Sequence, residues 1–293
     1  MPKSGFVANS SSNSVTVFDI QTNTVTGSIP VGTTPFVPVL TPNKKFVYVT
    51  NNGSNTVSVI DVAQNMVVDT IPVGPGPYGV IISPNGKRAY VMNNLSDDVS
   101  VIDTKTNMVI ATISVGDGPI VGDVTPNGKF LYVPNSNSDD VSVIHTKTNM
   151  VIATIPVGDE PRQLAITPNG KFAYVTNRNS NTVSVIHVKQ NTVVTTIPVG
   201  LQPRGIAIAS NGKRAYVANF SSNTLSVIDL KQNIVIHTIP AGLQPLGVAI
   251  PSNGKFVYVT NFGSNTVSVV DVTQNMVVDT IMVEGNPVGI AIG

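Results

Sequence analysis

An all-β fold, built from one small antiparallel sheet repeated seven times, is what this sequence predicts, and three observations carry the prediction. An aromatic-Val-x-Asn unit first occurs as Phe6-Val7-Ala8-Asn9 and returns from Tyr48, Tyr90, Tyr132, Tyr174, Tyr216 and Tyr258, each start 42 residues after the last from Tyr48 onward and from Phe6 to Tyr48. Each unit holds four short runs rich in β-branched residues, divided by Gly, Pro and Asn turns. No segment sustains a 3.6-residue hydrophobic period, so the chain offers nothing for a long helix. Four strands in 42 residues is the spacing of a meander rather than of βαβ units. Seven such units at this period are the signature of a seven-bladed β-propeller, whose radial order leaves only short, protected strand edges.

Each element of one unit follows from its residues. Tyr78 to Ile82 reads as the first strand and is stopped by the turn Ser83-Pro84-Asn85-Gly86-Lys87. Arg88 to Met92 forms the second, ended by Asn93 before a polar loop, with its Tyr predicted to pack between blades. Val99 to Asp103 forms the third, and its terminal Asp is expected to cap the next turn, as are Asp19, Asp61, Asp229 and Asp271. Met108 to Ile113 forms the fourth and outermost. Pro38 tests this order, since Pro cannot donate to a ladder and belongs at a sheet edge. It falls in a first strand, the edge facing the central channel.

The phase of the repeat predicts how the ring closes. The chain enters inside a second strand, and Val288-Gly289-Ile290-Ala291-Ile292 matches the first strand of the other units. The blades are therefore expected at about 288–293 with 1–31, then 36–73, 78–115, 120–157, 162–199, 204–241 and 246–283. Length alone suggests roughly two domains; the repeat overrides this in favour of one propeller over 1–293.

Composition excludes several functions. With no Cys, the chain has no disulfide framework, Cys-ligated zinc or thiol chemistry. A net charge of +1 gives no global reason to bind nucleic acid. Apolar runs are only a few residues long, far from the roughly 18 a membrane helix needs. The start, Met1-Pro2-Lys3-Ser4, shows no export signal. Asn9, Asn52, Asn94 and Asn219 form Asn-x-Ser triplets, expected by chance in loops so rich in Asn and Ser.

Tyr-Val-Thr-Asn at 48–51, 174–177 and 258–261, with Ser83 to Lys87 and Val57-Ser58-Val59-Ile60-Asp61, resembles the YVTN family of propeller repeats over the whole chain. The resemblance implies a seven-bladed fold and an extracellular or cell-surface, binding or scaffold role, as in surface-layer proteins. WD40 and kelch repeats fit less well for want of Trp.

Units are close copies, so specific function is sought where one departs from the rest. Alternation puts the strand 2–3 and interblade loops on one face, here the top, and the other turns on the bottom. Of 17 Lys and Arg, 14 fall on the bottom, from Lys3 and Lys44 to Lys255; the top keeps Arg162, Arg178 and Arg204. Half of the 16 carboxylates fall on the top: Asp97, Asp98, Asp117, Asp139, Asp140, Asp159, Glu160 and Glu284. Leu201, Phe220, Leu243, Leu246 and Phe262 follow. A composite site is therefore expected at the top of the channel. In it Asp117, Asp159 and Glu160 meet a cation or polyol, Arg162, Arg178 and Arg204 an anionic group, and Phe220 or Phe262 an apolar or sugar surface. Clustered oxygens of this kind suit Ca²⁺ or Mg²⁺.

Asp123 stands apart, in a first strand where the other units have Val39, Ile81, Ala165, Ala207, Ala249 and Ala291. A carboxylate buried there needs a partner or a shifted pKa, and a metal or channel role is weighed against a locally satisfied one. His145 and His187 replace the turn Asp in adjacent units and read as structural; His237 is expected to face solvent. The combined reading is a binding or scaffold propeller that engages a glycan, protein or other ligand through its top loops, with no cofactor assigned. The alternative is a carboxylate- or metal-dependent lyase or hydrolase at the channel mouth, an architecture similar to the streptogramin lyases, with Tyr78 as a candidate acid or base.

Overall fold

A computed structural model describes residues 4–293; Lys3, assigned above to the basic face, lies outside the described residues. Among these residues, 28 strands form seven four-stranded antiparallel sheets. The second blade shows the common order: Pro35–Leu40 innermost, then Phe46–Asn51, Thr56–Asp61 and Met66–Pro72 outermost. The first blade differs, since Pro287–Ile292 supplies its inner strand beside Ser4–Asn9, with Ser14–Asp19 and Thr24–Pro30 outside. The C-terminal strand thus closes the ring, as the repeat phase predicts. The remaining inner strands begin at Pro77, Pro161, Pro203 and Pro245, except in the fourth blade, where the inner strand is cut to Asp123–Val124 and Pro119 makes an isolated bridge to Asn135.

Each letter of the Tyr-Val-Thr-Asn unit has a separate physical task. The Tyr rings lie in the apolar layers between blades, and Tyr48, Tyr132 and Tyr174 donate to Asn107, Asn191 and Asn233 of the next blade at 2.6, 2.7 and 2.7 Å. Burial pushes these three hydroxyls up to about 12. Tyr258 makes the same bond to Asn23 across the closure. The Val side chains are fully buried in the same layers. Thr fills a bulge that follows the first residue of the inner strand: Thr176 Oγ1 accepts from Gln163 N and donates to Arg204 O of the next blade at 2.6 Å.

The Asn that ends the second strand bonds side chains of the third. In all seven blades it is wholly buried, and its Nδ2 donates to two side-chain oxygens on the third strand, as Asn177 does to Thr182 and Ser184 at 3.0 and 2.9 Å. The left-handed backbone falls four residues later, at Asn13, Asn55, Asp97, Asp139, Asn181, Asn223 and Asn265. There the Asx side chain accepts the backbone N–H of the following interblade loop, as Asn181 does from Gln202 at 2.8 Å.

Inner strands of neighbouring blades come together closely at Gly79, Gly205, Gly247 and Gly289, where an added Cβ would lie within 2.6 Å of the next blade's carbonyl oxygen. Only glycine permits that approach. The result is a channel too tight to be a pore, and it fixes the residues at its mouth.

Candidate functional site

Six prolines start inner strands and Pro119 bridges Asn135 at the matching place of the fourth blade; the residue after each Pro forms one ring at the top of the channel: Phe36, Tyr78, Ile120, Arg162, Arg204, Leu246 and Val288. The ring is divided by chemistry. Arg162 and Arg204 sit side by side in the fifth and sixth blades, and the other members are aromatic or aliphatic. Beneath them the cavity holds only about 60 Å³, room for about two waters at roughly 30 Å³ each. A molecule larger than a few waters has room only at the mouth.

Glu160, in the left-handed loop position before the fifth inner strand, binds two of the three arginines. Both its oxygens accept from Arg178 Nη1, at 2.6 and 2.7 Å, and one accepts from Arg162 Nη1 at 3.2 Å. These are the ion pairs found among the described residues. Arg162 Nη2 donates to the Tyr78 hydroxyl at 2.8 Å, and Phe36 packs edge-on against Tyr78 with centroids 4.8 Å apart. The first arginine is thus held from both sides.

Arg204 is different. Its guanidinium stacks over Phe220 at 4.2 Å, and among the described residues it forms no ion pair and its buried Nε has no hydrogen-bond partner. Burial, then the charge of Arg162, pull its pKa down to about 10, against the opposing pull of Tyr78 and Glu160. It remains a cation at neutral pH. Three arginines share one carboxylate here, so the mouth carries an excess of positive charge above an apolar floor.

The structure brings together Glu160, Arg162, Arg178, Arg204 and Phe220 from the predicted set, with Phe262 behind Phe220 at 6.4 Å. Asp117 and Asp159 stand exposed on successive interblade loops, where their backbone N–H groups are held by Ser138 and Ser180. No group of three or more His, Cys, Asp or Glu side chains is close enough to hold a metal ion among the described residues. Four of the eight top carboxylates are structural: Asp97 and Asp139 accept the N–H of Gly118 and Glu160, and Asp98 and Asp140 accept from Asn93 and Asn135. Glu284 accepts from Ser14 across the ring closure. The acidic sector therefore does much of its work inside the loops.

Asp123 is half-buried, and its oxygens accept from Val124 N at 2.7 Å and from Ile166 N of the next blade at 2.9 Å. Burial raises its pKa to about 6, against the two backbone bonds that lower it. It joins two inner strands and is locally satisfied. Sequence reading missed Phe36, Ile120 and Val288 as mouth residues; their signal is the position after each repeated Pro.

Comparison with known proteins agrees with this architecture. A propeller of the Kuenenia stuttgartiensis hydrazine synthase is 27% identical over 91% of this chain and 92% of its own, with a TM-score of 0.85. A functionally unknown protein from Desulfotomaculum acetoxidans is 19% identical over 99% and 98%, with a TM-score of 0.90. A Bacteroides uniformis protein, provisionally described as a 6-phosphogluconolactonase, is 19% identical over the whole of both chains, with a TM-score of 0.82. No curated protein matches the chain. The family described as "Lactonase, 7-bladed beta-propeller" matches residues 6–197, nearly two thirds of the length, and with the seven closed blades this places the chain in that family.

Proposed function

We propose that this propeller binds a compact organic anion, of the sugar-acid or sugar-phosphate class, at the mouth of its channel. The observation that carries the reading is Arg204. A half-buried guanidinium with no carboxylate partner among the described residues is costly, because charges drawn out of water need a counter-charge. An anion between Arg204 and Arg162 supplies it, with two forked donors suited to carboxylate or phosphate oxygens. The apolar half of the ring, Ile120, Leu246 and Val288, takes the ligand's carbon skeleton.

Family membership favours a second reading, hydrolysis of a lactone at the same place. Arg162, Arg204 and Tyr78 would then stabilise the oxyanion that forms when water adds to the ring carbonyl. Glu160 is bonded to two arginines, so its role in either reading is to hold them. The cell-surface placement implied by the repeats belongs to the same proposal.

Calorimetry with gluconate, 6-phosphogluconate, citrate and phosphate separates these readings when run beside a lactone-opening assay. The binding reading expects saturable binding of at least one anion, weakened by Arg204→Ala by about 30-fold or more, the loss on removing one buried charge partner. Turnover of glucono-lactones abolished by the same substitution would establish hydrolysis. Absence of both would refute the mouth as a site.

A further inference from the structure

The bottom face departs from the repeat at His145 and His187, which the channel mouth does not explain. In five blades an Asp ends the third strand and caps the turn; Asp61 Oδ1, for example, accepts from Ala63 N and Gln64 N at 2.8 and 2.9 Å. His187 takes the same role without the charge, its Nδ1 accepting from Gln190 N at 3.3 Å. Its ring is set edge-on to Phe172, with centroids 5.4 Å apart. With Nδ1 an acceptor, Nε2 carries the ring proton and is the atom left to donate.

The residue that starts a second strand faces the turn of the next blade. Within a blade that residue pairs with the one ending the third strand, as Phe130 does with His145 and Phe172 with His187, and on its other side Phe130 borders the His187 turn of the fifth blade. Phe130 of the fourth blade and His187 of the fifth border one space on the underside. There a cleft of about 640 Å³ opens, lined by Phe130, Tyr132, Asn169, Lys171, His187 and Lys189 among others, with no carboxylate. Asn169 Oδ1 is already taken by Thr167 and Lys171 N, and Asn127 Oδ1 by Thr125 and Lys129 N, so both amides present donors only. The cleft has the size of a small-molecule site, about 300–1,000 Å³, and offers cations, N–H donors and an aromatic wall.

We propose that this interblade cleft is a second binding site, for a phosphomonoester carried on a planar ring. Lys171, Lys189 and His187 Nε2 hold the phosphate oxygens, and Phe130 covers the ring. Two ammonium groups and an imidazole favour a doubly charged phosphate over a single carboxylate.

The test uses the full chain carrying Arg204→Ala, which silences the channel mouth, with adenosine 5′-monophosphate as probe and adenosine as control. The chain has three histidines, so the ring resonances of His187 report this site directly. The monophosphate is expected to move them saturably, and adenosine is not. His187→Asp restores the residue of five other blades and preserves the fold while setting a negative charge against the phosphate; it and Lys189→Ala should each weaken binding about tenfold or more, the loss of one hydrogen bond to a charged group. Unmoved His187 resonances at high monophosphate, or equal affinity in both variants, would overturn the proposal. Neither result bears on the anion at Arg204.

Discussion

At the residue scale, the repeated Asn is the most informative side chain. Asn177 donates to Thr182 and Ser184 from a fully buried position, so Asn177→Ala leaves two hydroxyls without their donor. It is expected to cost about 1–3 kcal/mol, measured by urea unfolding, and a cost near zero would show that the bond network is dispensable. Asp123 gives a pH signature. Its folded pKa, about 6, lies above the 3.8 of an ordinary Asp, so between those values the native state holds more protons than the unfolded one. Its contribution to stability therefore falls as pH rises from about 4 to about 6. Asp123→Ala should flatten that limb of a melting-temperature profile, whereas an unchanged slope would place the titration elsewhere. Asp123 was visible in the sequence as an outlier among small and aliphatic residues. Its partners were not, because the Ile166 N–H comes from a neighbouring blade 43 residues away.

At the element scale, strands, turns and closure were legible because period 42 repeats every signal seven times. What stayed hidden was the use of each residue within the turn. Asp97 and Asp139 read as charges on a loop, yet they replace an Asn that ties each 2–3 loop to the next interblade loop. A carboxylate accepts that N–H as an amide oxygen does, so the sequence carries no mark of the difference. The closing strand is the element with the clearest consequence. Removing residues 287–293 strips the inner strand from the first blade, exposes the edge of Ser4–Asn9 and uncovers the layers packed on Val288 and Ile290. The truncated chain is expected to melt far below the intact one and to aggregate through the open edge. Equal melting temperatures would contradict ring closure as a source of stability.

At the scale of the whole molecule, a net charge of +1 conceals two unlike faces. The underside presents lysines without ion pairs among the described residues. The top presents carboxylates engaged in loops and three arginines gathered at the channel mouth. The sequence placed those arginines on the correct face, and the spacing of Arg162 and Arg204 by one repeat made them neighbours. It did not show that Glu160 serves Arg162 and Arg178 while leaving Arg204 alone, since that depends on how the half-buried side chains settle between the fifth and sixth blades. The central claim is that Arg204 awaits an anion. A crystal structure of the protein soaked with 6-phosphogluconate tests it most directly: the account predicts carboxylate or phosphate oxygens in hydrogen-bond contact with the guanidinium groups of Arg204 and Arg162. An anion bound elsewhere, with the mouth empty at the same concentration, would contradict it.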